Sequence, residues 1–237
     1  MRYWALTRRP KYSLLFALPL LVLYELLALA LSGGAMAGVR NGADVLLKSL
    51  FFAFGGRTGL TVFGALLLGI GAWLVWRDRQ AGGPIRWAVF GGMAAESLAY
   101  ASVLGLVTAT LTSLLLGGAL PFAVGQFAEL GLASQVMISL GAGLYEELLF
   151  RVVLVGTLAW VARRMLGSPW AAGAAATLVG ALVFSAFHYI GPHGDRLELG
   201  SFAFRAVAGV LFSALYLLRG FGIAAWTHAL YDLMLVG

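Results

Sequence analysis

The sequence has no cysteine, three histidines, ten acidic residues, and only 11% charged residues among its 237. Each shortage removes a class of protein. Without cysteine there is no disulfide, no thiolate metal site and no cysteine nucleophile. A soluble domain covers its core with roughly a quarter charged residues, which this chain lacks. With 61% hydrophobic residues and a mean hydropathy of +0.92, the chain belongs in lipid. The net charge of +6 does not mark a nucleic-acid surface, because the basic residues cluster at the ends of apolar runs rather than on a polar face.

Those apolar runs are what the sequence has in abundance. A helix crosses ~30 Å of hydrocarbon with about 20 residues. Seven such windows lie near 12–32, 58–76, 87–117, 134–162, 170–190, 201–218 and 221–236. The expected fold is therefore all-α, a single polytopic transmembrane bundle over 1–237. Glycine is abundant, 32 residues in all, and many of these lie within the windows beside Ala and Ser, as close helix packing in a bilayer requires. Ala35-Met36-Ala37 imitates a signal-peptide cleavage site, but the preceding run is long and interrupted by Pro19 and Glu25, so an uncleaved first span is expected. Residues 38–55 mix Arg40, Asp44 and Lys48 with Leu46, Leu47, Leu50 and Phe51 at helical spacing, which predicts an amphipathic interfacial helix.

Strict alternation of seven spans puts Arg2, Arg8, Arg9, Lys11, Arg77, Arg79, Arg86, Arg163, Arg164 and Arg219 on one side. Arg40, Lys48, Arg57, Arg196 and Arg205 fall on the other. By the positive-inside rule the N-terminus is expected in the cytoplasm, and a bacterial inner membrane is the expected location.

Ionisable groups at membrane depth are costly, so a cluster of them is a functional signal. Tyr145-Glu146-Glu147 and Arg151 lie in the fourth window. Glu147 and Arg151 are four apart, within ion-pair reach on one helix face, whereas Glu146 projects about 100° away without that partner. One carboxylate is thus expected to be held, the other left to do chemistry. Phe184 precedes His188 by four residues at the end of the fifth window, and His228 precedes Asp232 by four in the seventh. Phe184 is expected to wall the ring of His188, and Asp232 to accept a hydrogen bond from His228. A carboxylate and two imidazoles converging in a partly dry cavity can activate water and stabilise an oxyanion, which is peptidase chemistry without a serine or cysteine nucleophile. Glu25 and Glu96, lacking motif partners, are expected to serve helix packing or line a cavity; His193, in a Gly-Pro loop, is expected to be solvated; Tyr145 and Phe150 are expected to pack.

Glu-Glu-x-x-x-Arg (Glu146, Glu147, Arg151), Phe-x-x-x-His (Phe184, His188) and His-x-x-x-Asp (His228, Asp232), in this order on three late spans, resemble the three motifs of the CPBP family. This is the CAAX-protease and bacteriocin-processing group of intramembrane glutamic endopeptidases, and the resemblance covers roughly 134–236. It implies a helical bundle in which Glu146 and His188 activate water and the third motif binds the oxyanion. It also implies a membrane-embedded or lipid-modified peptide substrate, since family members process prenylated C-termini, bacteriocin leaders or C-terminal sorting tails. The CAAX endopeptidases usually carry Asn where this chain has Asp232, and an ionised Asp cannot donate a hydrogen bond. Asp232 is therefore expected to hold His228 as the donor.

No cofactor is expected on this reading. A zinc-dependent protease using Glu146, His188, His228 and Asp232 as ligands is the nearest alternative, although His-Glu-x-x-His is missing. A non-enzymatic immunity or assembly factor is the alternative from another class. No internal repeat or pair of matching broken helices points to a transporter. With Glu146 about 18 Å below the outer end of its span at ~1.5 Å per residue, and His188 near the outer end of the fifth, the site is expected to open away from the cytoplasm.

Overall fold

The structure is a computed structural model that describes residues 2–33, 40–118, 130–191 and 194–236. Ala35-Met36-Ala37 and His193 lie outside the described residues. Among those described the protein is helical throughout, with no strand.

A short helix α1 (Tyr3–Thr7) leads into α2 (Pro10–Ala30), which Pro10 opens at a position where its missing N–H costs nothing. The long α3 (Gly42–Gly82) starts at Asn41, whose side chain caps the helix by accepting from the Ala43 N–H at 2.9 Å. α4 (Ala88–Leu116) ends at Gly117 in the left-handed conformation, as α6 (Gly156–Leu166) does at Gly167. α6 continues α5 (Leu132–Gly141) through a π-helical segment, π1 (Ala142–Val155). Ser168 caps α7 (Pro169–Phe187), and α8 (Leu199–Arg219) and α9 (Phe221–Val236) complete the bundle.

Five of these helices, α2, α3, α4, α7 and α8, are long and apolar enough to cross a membrane on their own. The two other expected spans are α9, with 16 residues, and the composite α5–π1–α6, interrupted by its charges. Chain ends expected on one face do meet there. Arg9 pairs with Asp78 at 2.6 Å, and the Lys11 Nζ donates to the Gly82 and Gly83 carbonyls. Glu96 accepts from Tyr3 and from Arg219, the latter at 2.7 Å. Trp4, Trp76, Trp87, Trp160 and Trp170 are exposed around this end, where indole rings favour the lipid–water boundary.

The helix expected within 38–55 is present from Gly42 and joins the second span through a sharp break at Gly56. Residues 42–55 and 57–82 are two helical segments parted at Gly56, whose backbone leaves the helical region at φ 56°, ψ −137°. The bend is sharp enough that a Cβ on Gly59 would lie 1.9 Å from the Phe51 carbonyl oxygen, and the rings of Phe51 and Phe63 meet across it at 5.2 Å. The Asp44 and Lys48 side of the first segment meets α2, while Val45, Leu46, Leu50, Phe52 and Phe54 stay exposed on its other side, the amphipathic division that the sequence predicts.

α9 is the central helix, packing on α2, α4, α5, π1 and α8. Its inner face is made of Ala224, Ala225 and Ala229, all fully buried. π1 crosses it at Gly143, where a Cβ would stand 2.4 Å from the Ala225 carbonyl and 2.7 Å from the Ala229 methyl group. Backbones in lipid associate through such close approach, since no hydrophobic force separates helix from tail. Gly143→Ala is expected to lower the stability of the detergent-purified protein by about 1–3 kcal/mol. Gly69→Ala, in open space on α3, should be neutral or slightly stabilising; thermal unfolding of the two variants measures the difference.

Candidate active site

The fourth span does not keep the regular α-helix that the 100° argument assumes. From Ala142 to Val155 the chain adopts wider π turns, a form associated with functional sites. Glycines allow it to lie close to its neighbours: besides Gly143, Gly141 sits where a Cβ would be 2.5 Å from the Tyr24 ring and 2.8 Å from Asn41 Cβ. Both carboxylates at its centre are buried, Glu146 at 7% and Glu147 at 0% exposure.

They point to different partners, as expected, but not to the expected ones alone. Glu147 does pair with Arg151, at 3.3 Å. Its tighter contact is with His228, whose Nδ1 donates to the same Oε1 at 2.7 Å. Arg151 is fully buried and its guanidinium lies 4.2 Å from the centre of the Phe184 ring and 5.5 Å from that of Phe212. Among the described residues its nitrogens make no hydrogen bond, so it is held by charge and by ring faces.

Glu146 is not without a partner. Its Oε1 accepts from the Asn41 Nδ2 at 2.8 Å, and its Oε2 faces His188 Nε2 at 3.9 Å. His188 closes α7, and its Nδ1 lies 2.9 Å from the Phe184 carbonyl. A carbonyl only accepts, so Nδ1 carries the proton and Nε2 presents a lone pair toward Glu146 when the ring is neutral. Phe184 walls that ring as expected, with centroids 4.8 Å apart and planes at 75°. Phe150 is buried and packs edge-on to Phe184.

The hydrogen bond expected between His228 and Asp232 is absent. His228 Nε2 stands 3.7 Å from Asp232 Oδ2, close enough for charge to act but beyond hydrogen-bond range. The cause is the crossing at Gly143, which brings α9 against π1 and turns Nδ1 to Glu147. The imidazole is fixed from its face by Phe212, stacked at 4.4 Å and 24°.

All seven residues of the three motifs therefore meet in one place: Glu146, Glu147, Arg151, Phe184, His188, His228 and Asp232. Reading the sequence missed Asn41 and Phe212. Asn41 left a signal, since Asn at the start of a helical run is an N-cap, but nothing local tells that its amide reaches a residue 105 positions away. Tyr145, expected only to pack, also donates to Glu25 at 2.8 Å. Among the described residues no group of three His, Asp or Glu side chains is disposed to hold a metal ion.

Residues 128–234 match the family model described as Type II CAAX prenyl endopeptidase Rce1-like. The match takes in all three motifs and somewhat under half of the chain. It agrees with the resemblance read from the motifs: the C-terminal region is similar to CAAX-type endopeptidases, in a chain with five helices long and apolar enough to cross a membrane among the described residues. Neither curated proteins nor solved structures match the chain.

Removing one member of a fully buried ion pair leaves the other uncompensated, at a cost of about 3–5 kcal/mol. Glu147→Gln is therefore expected to destabilise the purified protein strongly, because it abandons Arg151 and weakens the hold on His228. Glu146→Gln keeps an acceptor for Asn41 and should melt close to wild type; thermal unfolding in a single detergent compares them.

Proposed function

We propose that the protein is a glutamic intramembrane endopeptidase in which Glu146 and His188 activate water and His228 receives the oxyanion. The observation that carries this reading is the 3.9 Å gap between Glu146 Oε2 and His188 Nε2, two acceptors facing each other. That gap is too wide for a direct hydrogen bond and suits one water donating a proton to each, at about 2.8 Å. As the water oxygen bonds to the peptide carbonyl carbon, Glu146 takes its proton and negative charge moves to the carbonyl oxygen. Glu146 then returns the proton to the amide nitrogen, the C–N bond breaks to leave a carboxylic acid and an amine, and the acid's proton passes to the amine, giving a carboxylate and an ammonium.

The oxyanion needs a donor, and His228 has Nε2 to offer. Its ring lies between two carboxylates, Glu147 at 2.7 Å and Asp232 at 3.7 Å, a setting that suits a positive imidazole carrying protons on both nitrogens. Asp232 serves this role by charge, where an Asn would serve by hydrogen bonding. The reading requires no cofactor.

The substrate is a peptide bond near a membrane-embedded or lipid-modified C-terminal segment; the family description, which names prenyl endopeptidases, supports the lipid-modified class. The cavity is reached from the face opposite the N-terminus, because Asn41 caps α3 and His188 ends α7 at that face, and the His188 side chain keeps 25% exposure. With ten of the basic residues grouped at the N-terminal face, that face is cytoplasmic and the site opens outward from a bacterial inner membrane.

Two measurements test this. In the membrane proteome, Glu146→Gln should leave C-terminal segments uncleaved that wild type removes, and cleavage should fall by about 100- to 10,000-fold while surviving chelator in wild type. Normal processing by Glu146→Gln would leave a binding or assembly role. For orientation, the chain has no cysteine of its own, so Cys placed at Asp195 should react with an impermeant maleimide on intact cells and Cys at Arg164 should not; the reverse pattern would invert the topology.

A further inference from the structure

The N-terminal third of the chain lies outside the region that matches the family, yet among the described residues it supplies the one hydrogen bond that Glu146 accepts from a side chain. Asn41 is only 4% exposed, and its amide has no freedom of orientation. Its oxygen is committed to the Ala43 N–H as helix cap, which leaves Nδ2 as the donor to Glu146 Oε1. With Oε1 occupied, Oε2 is the oxygen turned to His188.

What holds Asn41 is itself a closed circuit. Its backbone N–H approaches the Tyr24 hydroxyl at 3.3 Å, and that hydroxyl donates to Asp44 Oδ2 at 2.8 Å. Asp44 pairs with Lys48 at 2.7 Å and Arg40 at 3.2 Å, and both cations also pair with Glu25, at 2.9 and 2.7 Å. Glu25 in turn accepts from Tyr145, the residue preceding Glu146. The rings of Tyr24 and Tyr145 meet edge-to-face at 5.3 Å. Thus two carboxylates and two cations, balanced in charge, brace the site from both sides: through Asn41 to the Glu146 side chain, and through Tyr145 to its backbone. A helix cap alone needs none of this.

We infer that Asn41, braced by the Glu25–Arg40–Asp44–Lys48 circuit, is a positioning residue that fixes the rotation of the Glu146 carboxylate so that one oxygen is offered to the reacting water. This rests on the proposed role of Glu146 as general base. His188 from α7, His228 and Asp232 from α9, and Glu147 and Arg151 of its own segment complete the charged surroundings of that carboxylate.

The test uses variants that keep the cap. Ser and Thr are also preferred helix caps, so Asn41→Ser and Asn41→Thr preserve the Ala43 contact while removing the amide donor, without setting a second carboxylate beside Glu146. If Asn41 matters only as a cap, both behave as wild type. If it positions Glu146, both should stay folded, with melting temperatures near wild type. Processing of the C-terminal segments that Glu146→Gln leaves uncleaved, followed by pulse-chase in cells, should slow at least tenfold. The carboxylate infrared bands of Glu146, isolated in purified protein as the difference between each Asn41 background and the same background with Glu146→Gln, should also move, a signature that loss of fold would not give while the melting temperature holds. Should one variant fail to fold, the other decides. Wild-type processing rates and unmoved bands in a folded Asn41→Ser, with Glu146→Gln inactive, would overturn the inference and leave the proposed function standing. Wild-type processing by Glu146→Gln itself would remove the ground beneath both.

Discussion

Two neighbouring carboxylates within a hydrocarbon layer set the terms for everything around them. Neither is tolerable there unless donors reach it, and adjacent side chains cannot draw on the same donors, because they leave the helix in different directions. The bundle meets this by dividing the work. Glu147 is met from α9 by His228 and from its own segment by Arg151, and Glu146 is met from α3 by Asn41 and from α7 by His188. The π turns of the fourth span and the glycines at 141 and 143 are the backbone conditions for that division, since they let three other elements approach one short stretch of chain.

The division also separates structure from chemistry. Glu147, Arg151, Phe184 and Phe212 form a stack of charge and ring faces in which every group is fully or nearly fully buried, and such an arrangement is rigid because no rotamer change leaves its charges matched. Glu146 and His188 sit at its edge, with the imidazole still partly exposed toward the face opposite the N-terminus. A general base needs water to come and go. The site is therefore dry where its frame is and open where its reaction would occur.

The span pattern and the three motifs were legible from the sequence because both are local: hydropathy over twenty residues, and pairs of side chains one helical turn apart. Phe184 against His188 is such a pair, and it is found as expected. His228 and Asp232 are the same kind of pair and are not found bonded, since a crossing helix offered His228 a nearer acceptor. Glu25, read as a helix-packing or cavity-lining carboxylate, belongs to an ionic circuit with Arg40, Asp44 and Lys48 and also accepts from Tyr145, 120 residues away. Asn41 could be read as a cap and not as a neighbour of Glu146, for the same reason. The amphipathic helix expected within 38–55 is found, parted from the second span at Gly56, but that its polar side would support the site is not a local property and could not be read.

The central claim is that water, and not the Glu146 carboxylate, attacks the peptide bond. It is tested most directly by letting purified wild-type protein cleave, over many turnovers in water enriched in oxygen-18, a peptide carrying a processed C-terminal segment, and then weighing the product and the enzyme's own fragment containing Glu146 by mass spectrometry. The account predicts one heavy oxygen in each new product carboxylate and none in Glu146. Heavy oxygen accumulating in Glu146 would mean that the carboxylate forms a covalent acyl intermediate, and would contradict it.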